Sequence, residues 1–129
     1  MKTFVVEDDP EQLATLKKII TNHIMINDFD MALTVATGTA QTLLDYVDAH
    51  TDIEGLYFLD IEYSGQQLNG LELASKIRDR DVNAKIVFVS THAEMAFLTF
   101  ERRIEPLDFI VKDLGQEVVK AKVEKDIRI

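Results

Sequence analysis

The sequence predicts an α/β fold in which helices cover both faces of a parallel sheet. Short apolar runs alternate five times with longer segments whose apolar residues recur at helical spacing. The run at residues 56–59 is apolar at every position, which is typical of a central strand buried on both faces. Strands that alternate with helices in this way pair in parallel, because each helix carries the chain back to the same end of the sheet.

The predicted elements follow one another at short intervals. Asp9, followed by Pro10, is predicted to cap the first helix, and Thr39 the second. The fourth helix contains Phe97 and Phe100, whose spacing favours a place in the core. The strands are predicted at residues 3–6, 31–36, 56–59, 85–89 and 107–111, and the helices at about 10–23, 40–49, from Gly70, 96–104 and from Gly115.

Composition limits the classes of protein that the chain can represent. Its 129 residues suffice for one domain with its own core, and 47% of them are apolar. A net charge of −9 argues against nucleic-acid binding by this segment, since phosphate backbones require lysine and arginine. The absence of cysteine excludes disulfides and thiolate metal sites, and no apolar run is long enough to span a membrane. No signal peptide is recognisable, so a cytoplasmic protein is expected.

Reactive side chains stand at the ends of four of the five predicted strands. Glu7 and Asp8 follow the first strand, Asp60 the third, Ser90 the fourth and Lys112 the fifth. Ligands of parallel α/β folds bind outside the carboxyl ends of the strands. The fold is therefore expected to gather these residues in one cleft, although they are distant in sequence.

The three carboxylates predict a Mg²⁺ site, because this ion prefers oxygen ligands and would offset their mutual repulsion. Asp60, after the most apolar strand, is placed to attack a phosphoryl group and form an acyl phosphate. Lys112 and the ion would neutralise phosphoryl oxygens, and Ser90 would donate a hydrogen bond to one of them.

Each of these residues also has an ordinary structural interpretation. The acidic pair could be a solvated strand end, and Asp60 could begin a turn. Ser90 could cap the next helix, and Lys112 could be a solvated cation. Their joint occurrence at the strand ends favours a shared site. His23 and His50 are interpreted as helix-end side chains. His92 is interpreted as an exposed loop residue, with a place at the border of the cleft as the alternative.

Four short motifs carry a resemblance to a known family: VVEDD, FLD with a following NGLEL, VST, and FIVKD. In this order and spacing they resemble the receiver domain of two-component response regulators across the whole chain. Further details, EDDP, YFLDIE, STHAEM and LDFIVKD, are most similar to the AgrA/ComE-type regulators of Gram-positive peptide quorum sensing. Those regulators usually carry a C-terminal LytTR DNA-binding domain. The resemblance implies a flavodoxin-like (βα)5 three-layer sandwich with strand order 2-1-3-4-5.

The resemblance also implies a role for each site residue. Asp60 corresponds to the phosphoacceptor. Glu7 and Asp8 correspond to the acidic pair that holds Mg²⁺, with Asp8 the direct ligand and Glu7 acting largely through water. The backbone carbonyl of Glu62 corresponds to a third protein ligand. The remaining roles are those of the switch hydroxyl, the invariant lysine and the switch aromatic, which fall on Ser90, Lys112 and Phe109.

The implied function is that of a signalling switch. A sensor histidine kinase would donate the phosphoryl group, and the receiver, a stoichiometric acceptor and not an enzyme, would catalyse its own phosphorylation. The change in helix four, strand five and helix five would control a homodimer and a transcriptional output domain, which would make any DNA contact. Residues 1–129 are expected to be one domain excised from a longer protein. The alternatives are a stand-alone receiver, a receiver that binds partners without phosphate, and a small metal-dependent phosphatase with Asp60 and Glu62 as its carboxylates.

The sequence departs from the family pattern in three places. The loop from Asp60 to Gly70 is longer than usual, with four added residues at 64–67. Lys112 is followed by Asp113, where most receivers have proline, so the bond between them is expected to be trans or the lysine to be held differently. The switch aromatic is Phe109 and not tyrosine, so any readout through it depends on packing alone.

Overall fold

The computed structural model describes residues 1–27 and 29–128. Within them, the strands form one parallel sheet with the order β2-β1-β3-β4-β5, which confirms the predicted fold. The strands are β1 (Lys2–Val6), β2 (Ala32–Thr37), β3 (Gly55–Leu59), β4 (Lys85–Ser90) and β5 (Asp108–Val111).

The helices form two layers, one on each face of the sheet. One apolar cluster lies between the sheet and the first and last helices, and the other lies under the three middle helices. The helices are α1 (Pro10–Ile26), α2 (Ala40–Ala49), α3 (Gly70–Arg80), α4 (Phe97–Glu101) and α5 (Gln116–Ile127). Short 3₁₀ turns at Ala93–Met95 and Lys112–Leu114 follow β4 and β5.

The two predicted N-caps differ in outcome. The Asp9 carboxylate accepts hydrogen bonds from the backbone N–H groups of Glu11 and Gln12, at 2.9 and 3.3 Å, so it caps α1 as predicted. Thr39 occupies the N-cap position of α2 but makes no side-chain capping bond, so that part of the prediction is wrong. Its hydroxyl lies between two neighbouring hydroxyls, those of Thr37 and Thr42, which compete for it.

The region after β4 departs most from the sequence prediction. The α-helix covers only Phe97–Glu101, and Ile104 lies beyond it, although Ile104 is fully buried. Phe97 and Phe100 were expected in the core, but their exposed fractions are 58% and 80%. The buried residue of this helix is Thr99. The prediction for the two phenylalanines failed because apolar spacing defines a helix face without defining which way that face points.

One glycine allows α3 to begin against the chain that leaves β3. A Cβ on Gly70 would lie 1.8 Å from the carbonyl oxygen of Asp60, a distance that no side chain can adopt. The Gly70 N–H donates a hydrogen bond to the carbonyl oxygen of Ile61 at 2.6 Å. The backbone on both sides of Asp60 is therefore fixed between β3, which is buried along its length, and the start of α3.

Candidate functional site

The carboxyl ends of β1, β3 and β5 meet at an open cleft at one edge of the sheet. Glu7 and Asp8 reach it from β1, Asp60 from β3 and Lys112 from β5. The sheet order explains this meeting, because β1 lies beside β3 and the lysine reaches inward from the edge strand. The cluster predicted from the strand ends is thus formed, with Ser90 as the exception.

Lys112 joins two of the carboxylates. Its Nζ donates hydrogen bonds to Asp60 Oδ2 at 2.9 Å and to Glu7 Oε1 at 3.1 Å. Burial opposes the ammonium charge, but these two carboxylates outweigh it and raise the pKa of Lys112. The lysine is therefore a permanent cation in the cleft at neutral pH.

The pKa values of the two carboxyls that contact Lys112 are shifted in opposite directions. Burial, followed by the hydrogen bond and negative charge of Asp60, raises the pKa of Glu7 to about 8. Burial also acts against the charged form of Asp60, but hydrogen bonds with Glu7 and Lys112 outweigh it and hold the pKa of Asp60 below its ordinary value. Asp60 is thus the ionised member of the pair at neutral pH, as a nucleophile must be.

Asp60 is also fixed in orientation. Its Oδ1 accepts a hydrogen bond from the Ile61 N–H at 2.7 Å, while Oδ2 accepts the one from Lys112. Its own N–H donates to the carbonyl oxygen of Val6 at 3.2 Å, which continues the β1–β3 pairing by one residue. Both oxygens and the backbone are therefore held before any ligand arrives.

The donor set fits Mg²⁺. Glu7, Asp8 and Asp60 each offer a carboxylate oxygen, and these atoms lie within 4.8 Å of one another. Glu7 Oε2 is buried and has no hydrogen-bond partner among the described residues. A hard divalent cation with oxygen ligands would satisfy that oxygen and neutralise the repulsion in the cluster.

Glu62 belongs to the cleft in a different way. Its side chain is exposed and its Oε2 lies 3.1 Å from Nε2 of His92, so its carboxylate is not part of the acidic cluster. Any contribution to a metal site would have to come from its backbone carbonyl, as the family resemblance implies. His92, for which the sequence favoured an exposed loop over a place at the cleft, lines the cleft and also contacts Glu94 at 3.1 Å. Its position two residues after β4 was the available signal.

Ser90 and Phe109 lie beside the cluster without lining the cleft. Ser90 ends β4, is fully buried and accepts a hydrogen bond at Oγ from the His92 N–H at 3.0 Å. Phe109 on β5 is half-buried and its ring lies 5.8 Å from that of Phe88. Their switch roles therefore stay predictions. The Lys112–Asp113 peptide bond is trans, one of the two expected outcomes.

Several contributing residues were not found from the sequence. The Ser64 N–H donates to Asp8 Oδ2 at 2.8 Å, and buried Tyr63 donates its hydroxyl to the Val6 carbonyl oxygen at 3.4 Å.

Away from the cleft, His23 is buried and not a solvated helix-end residue. Its Nε2 accepts a hydrogen bond from Nε of Arg128 at 3.2 Å, across the α1–α5 contact.

The fold and the acidic cluster together define a class of signalling domain, and the comparison with known families agrees. Residues 3–124 match the family described as response regulator receiver domain. The chain therefore belongs to that family and is a receiver domain of two-component response regulators.

The curated relatives narrow the resemblance to one type of regulator. The chain is 42% identical over 113 residues to accessory gene regulator protein A of Staphylococcus aureus, covering 88% of this chain and 47% of that protein. It is equally identical over 118 residues to the protein of the same name from Staphylococcus epidermidis, covering 92% and 49%. The resemblance to AgrA-type regulators is thus supported, and the chain spans about half the length of these relatives.

Solved structures give the same fold. The response regulatory domain of protein mrkE from Klebsiella pneumoniae has a TM-score of 0.78 at 24% identity, covering 99% of this chain and 96% of that one. Response regulator TrrA from Thermotoga maritima, solved in complex with Mg²⁺ and BeF, has a TM-score of 0.69 at 24% identity, with 97% of each chain covered.

Among the residues that the structure describes, no helix combines the length and apolar character needed to cross a membrane.

Proposed function

We propose that this domain is a phosphorylation switch in which Asp60 accepts a phosphoryl group from the phosphohistidine of a sensor kinase. The observation that carries the proposal is the contact of Lys112 Nζ with both Asp60 Oδ2 and Glu7 Oε1, beside a third carboxylate on Asp8. The arrangement places one cation and two further carboxylates around the ionised carboxylate of Asp60. That combination suits transfer of a phosphoryl group to Asp60.

The chain's own residues would perform the transfer by positioning and charge. A carboxylate oxygen of Asp60 forms a bond to phosphorus as the bond to the donor's imidazole nitrogen breaks, and the imidazole leaves with its electron pair. Lys112, already 2.9 Å from Asp60, would donate its hydrogen bonds to the phosphoryl oxygens once these carry the negative charge. When bound by Glu7, Asp8, Asp60 and the carbonyl of Glu62, Mg²⁺ would supply further neutralisation of those oxygens. The domain is then a stoichiometric acceptor that catalyses its own phosphorylation.

Phosphorylation would act on the β4–α4 side of the site. The phosphoryl group carries up to two negative charges and replaces the single charge of the Asp60 carboxylate, so the site gains at most one. Ser90 would turn from the His92 N–H towards a phosphoryl oxygen, and Phe109 would repack beside Phe88. The phosphoryl group would thereby bias an existing equilibrium between two arrangements of this region.

The output of the switch is proposed to be a homodimer that controls transcription. The exposed rings of Phe97 and Phe100 lie on α4, on the surface that this change would alter. Exposed side chains of both signs lie at the end of α4, on Glu101, Arg102 and Arg103, and would favour a self-complementary contact. Any contact with the promoter would be made by a DNA-binding output domain outside this segment, because a net charge of −9 argues against DNA binding by the segment itself. A cytoplasmic location and a role in peptide quorum sensing are proposed on the family resemblance.

The phosphatase alternative is not favoured by the geometry. Such an enzyme would use Glu62 as a second catalytic carboxylate, two residues after the nucleophile. The Glu62 side chain instead lies against His92, 3.1 Å away, and outside the acidic cluster.

Intact-mass measurement after treatment with acetyl phosphate and Mg²⁺ tests the proposal. The wild type should gain the mass of one phosphoryl group, and Asp60→Asn should gain none. Asp113→Asn, which alters an exposed carboxylate close to the site, should behave as the wild type. A wild type that gains nothing, or an Asp60→Asn variant that still gains one group, would contradict the assignment.

A further inference from the structure

The added loop residues between β3 and α3 form a connection that no family role covers. The side chain of Gln66 makes two hydrogen bonds to the β2–α2 junction. Its Oε1 accepts from the Ala40 N–H at 2.9 Å, and its Nε2 donates to the carbonyl oxygen of Gly38 at 2.7 Å. One amide group thus uses both its donor and its acceptor on backbone more than twenty residues away.

The Gln66 contact replaces a cap that α2 lacks. Thr39 makes no side-chain capping bond, and the Ala40 N–H is one of the groups at a helix start that need a partner. Gln66 supplies that partner from a different part of the chain. A role in α2 stability is therefore present in the structure, and it has to be separated from any role at the metal site.

The same junction lies against the backbone of the acidic pair. The Glu7 N–H donates to the carbonyl oxygen of Thr37 at 3.0 Å. A Cβ on Gly38 would lie 3.6 Å from the Cα of Asp8, which is ordinary contact distance. The β2–α2 junction therefore binds the Gln66 side chain and also contacts the backbone at the start of the acidic pair.

The loop returns to the acidic pair two residues before Gln66. The Ser64 N–H donates to Asp8 Oδ2 at 2.8 Å, and the Gln66 N–H donates to the carbonyl oxygen of Tyr63 at 3.3 Å. Together with the bond between Glu7 and Thr37, these bonds close a ring. It runs from Asp8 to Ser64, through the turn to Gln66, to Gly38, and back through Thr37 and Glu7 to Asp8. Gly65, with φ +70°, makes the turn.

We propose that Gln66 is a positioning residue of the metal site. By holding the loop against the β2–α2 junction, it keeps the Ser64 N–H on Asp8 and fixes the orientation of that carboxylate towards the ion. The inference rests on the proposed Mg²⁺ site and extends it. Groups that orient a ligand in this way commonly change metal affinity by about 10- to 100-fold when removed.

Three variants separate this role from helix capping. Gln66→Ala removes both bonds, and Gln67→Ala, an exposed neighbour in the same loop, is the matched control. The double variant Thr39→Asn/Gln66→Ala restores a neutral N-cap to α2 without restoring the loop contact. Amide NMR spectra give two readouts: the exchange rate of the Ser64 N–H without metal, and the Mg²⁺ dissociation constant from titration of the metal alone.

Gln66→Ala should accelerate exchange at Ser64 and raise the Mg²⁺ dissociation constant about tenfold. Gln67→Ala should change neither. The double variant should recover the melting temperature of the wild type while both site readouts stay altered. An unchanged dissociation constant in Gln66→Ala, or its recovery in the double variant, would overturn the positioning role and leave only a cap. A wild type that binds no Mg²⁺ would overturn the metal site itself and, with it, this role of Gln66.

Discussion

Two helices that follow neighbouring central strands, α3 after β3 and α4 after β4, differ sharply in how they are held. α3 has 11 residues, five of them buried, and begins with a capping box in which Asn69 and Glu72 bond to each other's backbone. α4 has five residues, one of them buried, and no side-chain cap. Its two phenylalanines face outward.

The difference divides the site into a fixed side and a weakly held side. The fixed side, from β1 to the start of α3, carries the three carboxylates. The weakly held side, from Ser90 to Lys112, carries the residues expected to respond to phosphate. Segments with few buried contacts open at low free-energy cost, so a conformational switch is expected to use them. Lys112 connects the two sides through its bonds to Asp60 and Glu7.

On the fixed side, the largest loss of stability is expected from a substitution at Gly70. Gly70→Ala places a Cβ 1.8 Å from the Asp60 carbonyl oxygen and should lower the free energy of unfolding by about 3 kcal/mol or more. Denaturant unfolding measures this. Gly65→Asn, at a position with open space and φ +70°, is the control and should cost much less. A Gly70→Ala protein of unchanged stability would show that α3 does not fix the loop after Asp60.

Removing Lys112 should break the connection between the two sides. Lys112→Met takes away the cation 2.9 Å from Asp60, and the rate of phosphorylation by acetyl phosphate should fall about 100-fold. A time course of intact mass measures the rate. Lys120→Met, at an exposed position on α5, should leave it unchanged. Equal rates in the two variants would remove Lys112 from the proposed mechanism.

A pH dependence of stability should come from Asp126, which is buried where α5 packs on the start of β5. Burial, followed by the neighbouring Asp108, raises the pKa of Asp126 from 3.8 to about 7. The folded protein then keeps a proton that the unfolded chain has released. Stability is therefore greatest below the unfolded pKa and falls as pH rises towards the folded one.

Asp126→Asn should flatten this fall, measured by denaturant unfolding from acidic to neutral pH without Mg²⁺. Part of the slope should remain, because the raised pKa of Glu7, about 8, acts in the same direction. Asp113→Asn, at an exposed carboxylate, should keep the full wild-type slope. A profile of Asp126→Asn parallel to the wild type would mean that the buried carboxyl is already ionised.

The smallest effect on stability is expected on α4. Changing Phe97 and Phe100 to serine should alter the free energy of unfolding by no more than about 0.5 kcal/mol, because both rings are exposed. The same double variant should lose the dimer that forms on phosphorylation. Sedimentation equilibrium measures this, with Asp60→Asn as the variant that cannot be phosphorylated. A large loss of stability would show that the rings pack on the fold. A dimer that persists would place the contact elsewhere.

The sequence predicts the carboxylates of the fixed side well and the orientation of α4 poorly, and there are physical reasons for both. Asp60 could be placed because an apolar strand that ends in a carboxylate is a local signal, and the parallel fold then determines its neighbours. Phe97 and Phe100 were misplaced because helical spacing is equally consistent with a buried or an exposed face. The missed contacts of Ser64, Gln66 and His23 join distant segments through hydrogen bonds, and no local pattern records such pairings.

Hydrogen exchange, resolved by peptide, with and without beryllofluoride and Mg²⁺, tests the division of the site most directly. Beryllofluoride stands in for the phosphoryl group on Asp60. We expect exchange to change in the segment from Ser90 to Lys112, including α4, while α3 keeps the same protection. A change of equal size in α3, or no change in α4, would contradict this division.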